Sequence, residues 1–238
     1  MIKWDFLNKV FEPFGKLQGI FKLYFDELPN ELKQMLFKLA DRGWYPSLKF
    51  YAGTPKQILE LIDNKKEEEL EEFLKSFARS RIAWLHSSIQ AYYPSREKIV
   101  KDAINAHNNG AYALSVPVFL AQADGISHEV LHGSIYSGQK EKKITSVIKN
   151  KIEAMKIKEN SIMATWFILL VNGTSIGVST KERDRLKAKL ELYGPLNRHG
   201  VMHGLDLDYA TEANSLRSMM VLEYMLWVSE KLRESRQK

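Results

Sequence analysis

The sequence predicts an almost entirely α-helical protein. Apolar residues recur at three- and four-residue spacing along most of the chain, β-branched runs are scarce, and helix-start signals precede several of the periodic stretches. From the N-terminus, Trp4, Phe6, Leu7, Val10, Phe11, Phe14, Leu17, Phe21 and Tyr24 give a helical stripe bent near Pro13. Asn30 reads as the N-cap of a helix over 31–40, and Thr54-Pro55-Lys56-Gln57 as a capping box with proline in the first turn. Residues 65–92 read as one long helix whose acidic start, Glu67-Glu68-Glu69, complements the helix dipole. Pro94 disfavours helix at Tyr93, and Ser95 can cap the next helix, which stops at Asn108-Asn109-Gly110.

An apolar helix over 111–124 follows, with Pro117 as an expected kink, and then a buried helix over 160–171 and a charged one over 181–192. Pro195 opens a short helix through 197–203. A helix over 211–233 closes the chain, with Leu216, Met219, Met220, Leu222, Tyr224, Met225, Leu226 and Val228 as its apolar side. The break at Tyr92-Tyr93-Pro94 divides the chain into an N-terminal helical region, 1–93, and a helical bundle, 94–238.

Composition narrows the chemistry. The 238 residues are 45% hydrophobic and 27% charged, which is a globular balance. The absence of cysteine excludes disulfide frameworks, Cys-ligated zinc and cysteine nucleophiles, and points to a reducing compartment, the cytoplasm. The longest apolar run, 162–171, is too short to span a membrane, and the N-terminus lacks the apolar stretch of a signal peptide. The net charge of +6 suits a polyanionic partner; its densest part, lysines 140, 142, 143, 149, 151, 156 and 158, is equally what a solvated helix face looks like.

Two motifs could carry chemistry. The first is Arg198-His199-Gly200-Val201-Met202-His203. Histidine titrates near neutral pH and can take or give a proton. Arginine stays charged and offers a fork of donors to phosphate oxygens. The pair therefore suits metal-independent cleavage of RNA by its own 2′-hydroxyl. Residues five apart on a helix point about 140° away from each other, so Arg198 and His203 converge only if the arginine bends round or the helix breaks at Gly200 or Gly204. His199 and His203 share a face.

The stretch from Leu196 to Arg217 resembles the last conserved region of HEPN-superfamily proteins, in which an Arg-x4–6-His motif precedes an apolar helix. The stretch Tyr112-Ala113-Leu114-Ser115-Val116-Pro117-Val118-Phe119-Leu120-Ala121-Gln122-Ala123-Asp124-Gly125 resembles the earlier helix of an uncharacterised bacterial branch. The resemblance covers roughly 95–232. It implies a bundle of HEPN type that dimerises with two motifs in one cleft, and RNA cleavage in phage defence or a toxin–antitoxin system, with a possible antitoxin partner and no cofactor or metal. It assigns Arg198 and His203 as catalytic, assisted by His199, with Asn197 and Asp124 supporting. The branch regulated by tyrosine modification carries a tyrosine two residues after the histidine; here that residue is Leu205.

The second motif is His128-Glu129-Val130-Leu131-His132, the His-Glu-x-x-His pattern of zinc peptidases, in which two histidines bind zinc and the glutamate activates water. A third ligand is required; Glu153 has a usable spacing, while Gly133-Ser134 would stop the helix. A non-catalytic helical module that binds RNA or a protein is the third reading. Tyr92 and Tyr93 could stack bases, though core packing suits them as well.

Overall fold

Helices supply the regular structure of the described residues, which in this computed structural model are 30–47, 54–136, 176, 177, 179, 181 and 196–234. No strand occurs among them. The helices expected over 4–24, 160–171 and 182–192, the lysine run and Glu153 lie outside the described residues. In chain order the elements are α1 (Asn30–Asp41), α2 (Thr54–Asp63), α3 (Glu67–Tyr92), a 3-10 turn (Pro94–Arg96), α4 (Glu97–Asn108), α5 (Tyr112–Leu131), α6 (Arg198–Met202) and α7 (Glu212–Glu234). No helix among the described residues is long and apolar enough to cross a membrane.

The all-α expectation holds, with element boundaries shifted in instructive places. The apolar pattern ends a helix at Asp124, whereas α5 continues to Leu131. Gly125, within this extension, is covered by a side chain from a neighbouring element: a Cβ there would lie 2.6 Å from the Arg96 guanidinium. Pro117 sits inside this helix without ending it. The carbonyl its missing N–H would have bonded, that of Ala113, accepts instead from the Tyr209 hydroxyl at 3.0 Å.

The pattern of α7 predicts one buried apolar side. The helix is instead enclosed along its whole middle, with residues 214–229 all buried. It packs chiefly on α5 and α3, while α4 packs on α5. Leu216, Met220, Val221, Leu222, Met225 and Val228 are essentially inaccessible; burying each such side chain stabilises by about 1.5–3 kcal/mol. Enclosure leaves the helix's polar residues needing partners, because an unpaired buried polar group costs about 1–3 kcal/mol.

Ser215, Arg217, Glu223 and Ser229 reach groups outside the helix. Ser215 meets His107 Nδ1 of α4 at 2.8 Å and Ser115 of α5 at 2.7 Å. Arg217 donates to both oxygens of Glu71 on α3, at 2.8 and 2.9 Å, and to the carbonyl of Arg42 at 3.0 Å. Glu223 accepts from Arg81 and from Ser47, and the Ser229 and Tyr93 hydroxyls lie 2.5 Å apart. Tyr93 is thereby a core residue, and residues on either side of Pro94 join one continuous apolar core running from Leu32 to Leu232.

Candidate functional site

The site is built on the C-terminal half of α5 and the chain that returns along it. His132 caps α5 in the left-handed region, at φ 59°, and turns the backbone round. The returning segment is then fastened to the helix in successive steps. Ser127 Oγ donates to the Gly133 carbonyl (2.6 Å), Ser134 Oγ donates to Asp124 Oδ1 (2.5 Å), and the Tyr136 hydroxyl donates to the Leu120 carbonyl (3.3 Å). The Tyr136 N–H closes the set by donating to Ser134 Oγ at 3.1 Å. This places a carboxylate and a buried aromatic ring side by side, facing α6.

Helix α6 is fixed at both ends. Leu196 and Asn197 are fully buried. Asn197 is the N-cap, its side-chain oxygen accepting from the Gly200 N–H at 2.7 Å, and the Arg198 N–H donates to the Ile176 carbonyl. At the other end His203 is the C-cap, Gly204 takes φ 67°, and the N–H groups of Leu205 and Asp206 both donate to the Gly200 carbonyl. Gly204 meets the need for a left-handed residue that a side chain would resist. The loop beyond is anchored to α5 by the Tyr209 hydroxyl and to the start of α7 by Asn214 Nδ2, which donates to the Tyr209 carbonyl.

Arg198, His199, His203, Asn197 and Asp124 lie together at this place. The Arg198 guanidinium sits 5.3 Å above the centre of the Tyr136 ring and 4.0 Å from Asp124 Oδ2, with a quarter of its side chain still exposed. The last distance is an ion pair without a hydrogen bond. His199 is partly buried and His203 exposed. Their rings stack, with centres 5.8 Å apart and planes 19° from parallel. Burial lowers the pKa of His199, and the charges of Arg198 and His203 lower it further. His199 is therefore held neutral to a lower pH than an ordinary histidine. Asn197 has a different position from the rest: it is buried beneath the helix as its cap and supports Arg198 through the backbone.

The His-Glu-x-x-His segment is arranged otherwise. Glu129 is taken by Arg96, whose Nε and Nη2 both donate to it. His132 lies past the helix end, in the left-handed conformation that turns its Cβ away from the direction a helical residue would take. Both histidines are exposed. Among the described residues no three His, Asp or Glu side chains gather in a way that could hold a metal ion.

Sequence reasoning missed Ser134 and Tyr136. Neither belongs to a motif; only the left-handed turn at His132 brings them back onto α5, and no local signal announces a non-glycine residue in that conformation. It also missed the buried His107–Ser215–Ser115 group, whose members come from three helices. No protein family, curated protein or solved structure matches the chain.

Proposed function

We propose that the chain is a metal-independent endoribonuclease of HEPN type. The observation that carries the reading is the gathering of a partly exposed guanidinium and two stacked imidazoles on the single turn Arg198–Met202 and its cap. Arg198 binds the phosphate and holds the negative charge that builds on its oxygens. A neutral imidazole takes the proton from the 2′-hydroxyl. The 2′-oxygen bonds to phosphorus as the bond to the 5′-oxygen breaks. A protonated imidazole supplies the departing 5′-oxygen with its proton, leaving a 2′,3′-cyclic phosphate and a 5′-hydroxyl.

Attack and departure occur on opposite sides of phosphorus. The His199 and His203 rings of one copy stack 5.8 Å apart, too close together to flank a phosphorus from both sides. The reading therefore requires a second copy related by a two-fold axis, so that each protomer contributes one imidazole. His199, kept neutral by burial and by Arg198, suits the base; His203, exposed, suits the acid.

The test is RNA cleavage in the presence of a chelator, comparing the protein with its Arg198→Ala, His199→Ala and His203→Ala variants. Loss of one imidazole in its general acid or base role lowers the rate by about 10²–10⁴-fold. Equal cleavage by all four proteins removes the reading. RNA binding that falls with salt, survives His203→Ala and forms no product would instead assign a non-catalytic module.

A further inference from the structure

We propose that Tyr136 and Ser134 are positioning residues that keep Arg198 placed but uncommitted, so that its donors remain available to a phosphate group. This rests on the anion-binding part of the reading above and is independent of turnover.

An arginine beside a carboxylate ordinarily closes into a two-point bridge, as Arg217 does with Glu71 at 2.8 and 2.9 Å. Arg198 does not. Its nearest approach to Asp124 is 4.0 Å, too long for a hydrogen bond. Two contacts account for the difference. The Tyr136 ring, fully buried and bonded through its hydroxyl to the α5 backbone, supports the guanidinium on one face at 5.3 Å. Ser134 donates to Asp124 Oδ1 at 2.5 Å and accepts from the Tyr136 N–H, which holds the carboxylate back on α5. The cation is thus oriented by a ring, which uses none of its N–H groups. The carboxylate contributes attraction without taking a donor. A phosphate arriving from the exposed side meets a guanidinium already aimed, and no bridge has to be broken first.

The probe is an all-2′-O-methyl oligoribonucleotide, which binds as RNA does but has no free 2′-hydroxyl to attack, followed by fluorescence anisotropy. Tyr136→Phe keeps the ring and is expected to bind within twofold of the unaltered protein. Tyr136→Leu is expected to lose about three- to tenfold. Ser134→Ala frees the carboxylate to close on Arg198 and is expected to lose affinity as well. Asp124→Asn should then raise affinity more in the Ser134→Ala background than alone, a coupling that a general loss of packing would not produce.

Nuclear Overhauser contacts between the Tyr136 ring and the Arg198 δ and ε protons read the placement directly in the unaltered protein, so the proposal stays open to refutation even if Tyr136→Leu fails to fold. Absence of those contacts overturns it. So does equal binding by the Phe and Leu variants, or binding unaffected by Arg198→Ala. Tight binding with the expected order of variants, but no cleavage of ordinary RNA, would sink the nuclease reading and leave this one standing.

Discussion

Replacing Arg217 with methionine tests how the helices before Pro94 are joined to those after it. The side chain is buried on α7 and donates to Glu71 and the Arg42 carbonyl, and its guanidinium lies 4.8 Å over the Trp44 ring. Methionine restores much of the volume and removes the need to bury a cation, which offsets part of the loss. Glu71 is one-third exposed and keeps the Trp44 indole N–H at 3.1 Å, so it rehydrates at little cost. The part-buried Arg42 carbonyl is left without the bond that Arg217 donates to it, and an orphaned acceptor costs up to about 1–3 kcal/mol when fully buried. The cation–π attraction to Trp44 disappears with the guanidinium, so Arg217→Met should destabilise the protein by about 2–3 kcal/mol. At about 2–4 °C per kcal/mol for a domain of this size, the melting temperature falls by about 4–12 °C. Urea unfolding followed by tryptophan fluorescence and by circular dichroism should give coincident transitions with an unchanged slope and a lower midpoint. A loss below about 0.5 kcal/mol, or a first transition confined to the region around Trp44, would refute the claim that Arg217 ties the two parts into one cooperative unit.

The remaining expectations concern the elements that hold the site. His107 has its pKa lowered by burial, with Glu212 raising it and Arg79 lowering it. The unfolded chain therefore binds a proton more readily than the folded one just below pH 6.5, so stability is full above that pH and falls as pH drops through it toward the folded-state value. Urea midpoints at pH 7 and pH 5.5 should differ, and His107→Asn should reduce the difference. Gly125→Ala should come out within about 1 kcal/mol of neutral, because the helix gain from alanine opposes the displacement of Arg96 from Gln122 and Glu129. In an Arg96→Ala background the same change should stabilise by the full gain of about 1 kcal/mol, as a double-mutant cycle measures. Tyr209→Phe removes the donor to the Ala113 carbonyl, an exposed bond, so global stability should fall by less than about 1 kcal/mol while amide exchange quickens across residues 204–210.

The fold class was legible because it depends on local pattern, and so was the grouping of Arg198, His199 and His203 on one short stretch. Apolar periodicity marked the long helices α3, α4 and α7, and Pro195 marked the start of the short helix that carries Arg198 and His199, whose cap at Asn197 the structure adds. What was not legible depends on partners distant in sequence. The continuation of α5 past Asp124, where Gly125 lies against Arg96, has no local signal. The polar residues of α7 interrupted its apolar pattern, which favoured a single buried side; their partners Glu71, Arg81, His107 and Tyr93 lie more than a hundred residues earlier. The resemblance put Asp124 in the site, but its ion pair with Arg198 and the ring beneath followed from neither motif nor period.

The arrangement also limits how the site can work. Arg198 already places one positive charge beside His199, and His203 lies stacked on it. Both Arg198 and a charge on His203 oppose protonation of His199, so the two imidazoles do not readily charge together. The proposed reaction needs proton carriers on opposite sides of phosphorus, while the His199 and His203 rings of one copy stack together. It therefore calls for a second copy of the chain. A binding-only protein would have no such requirement, which is why oligomeric state and turnover must be measured on the same preparation.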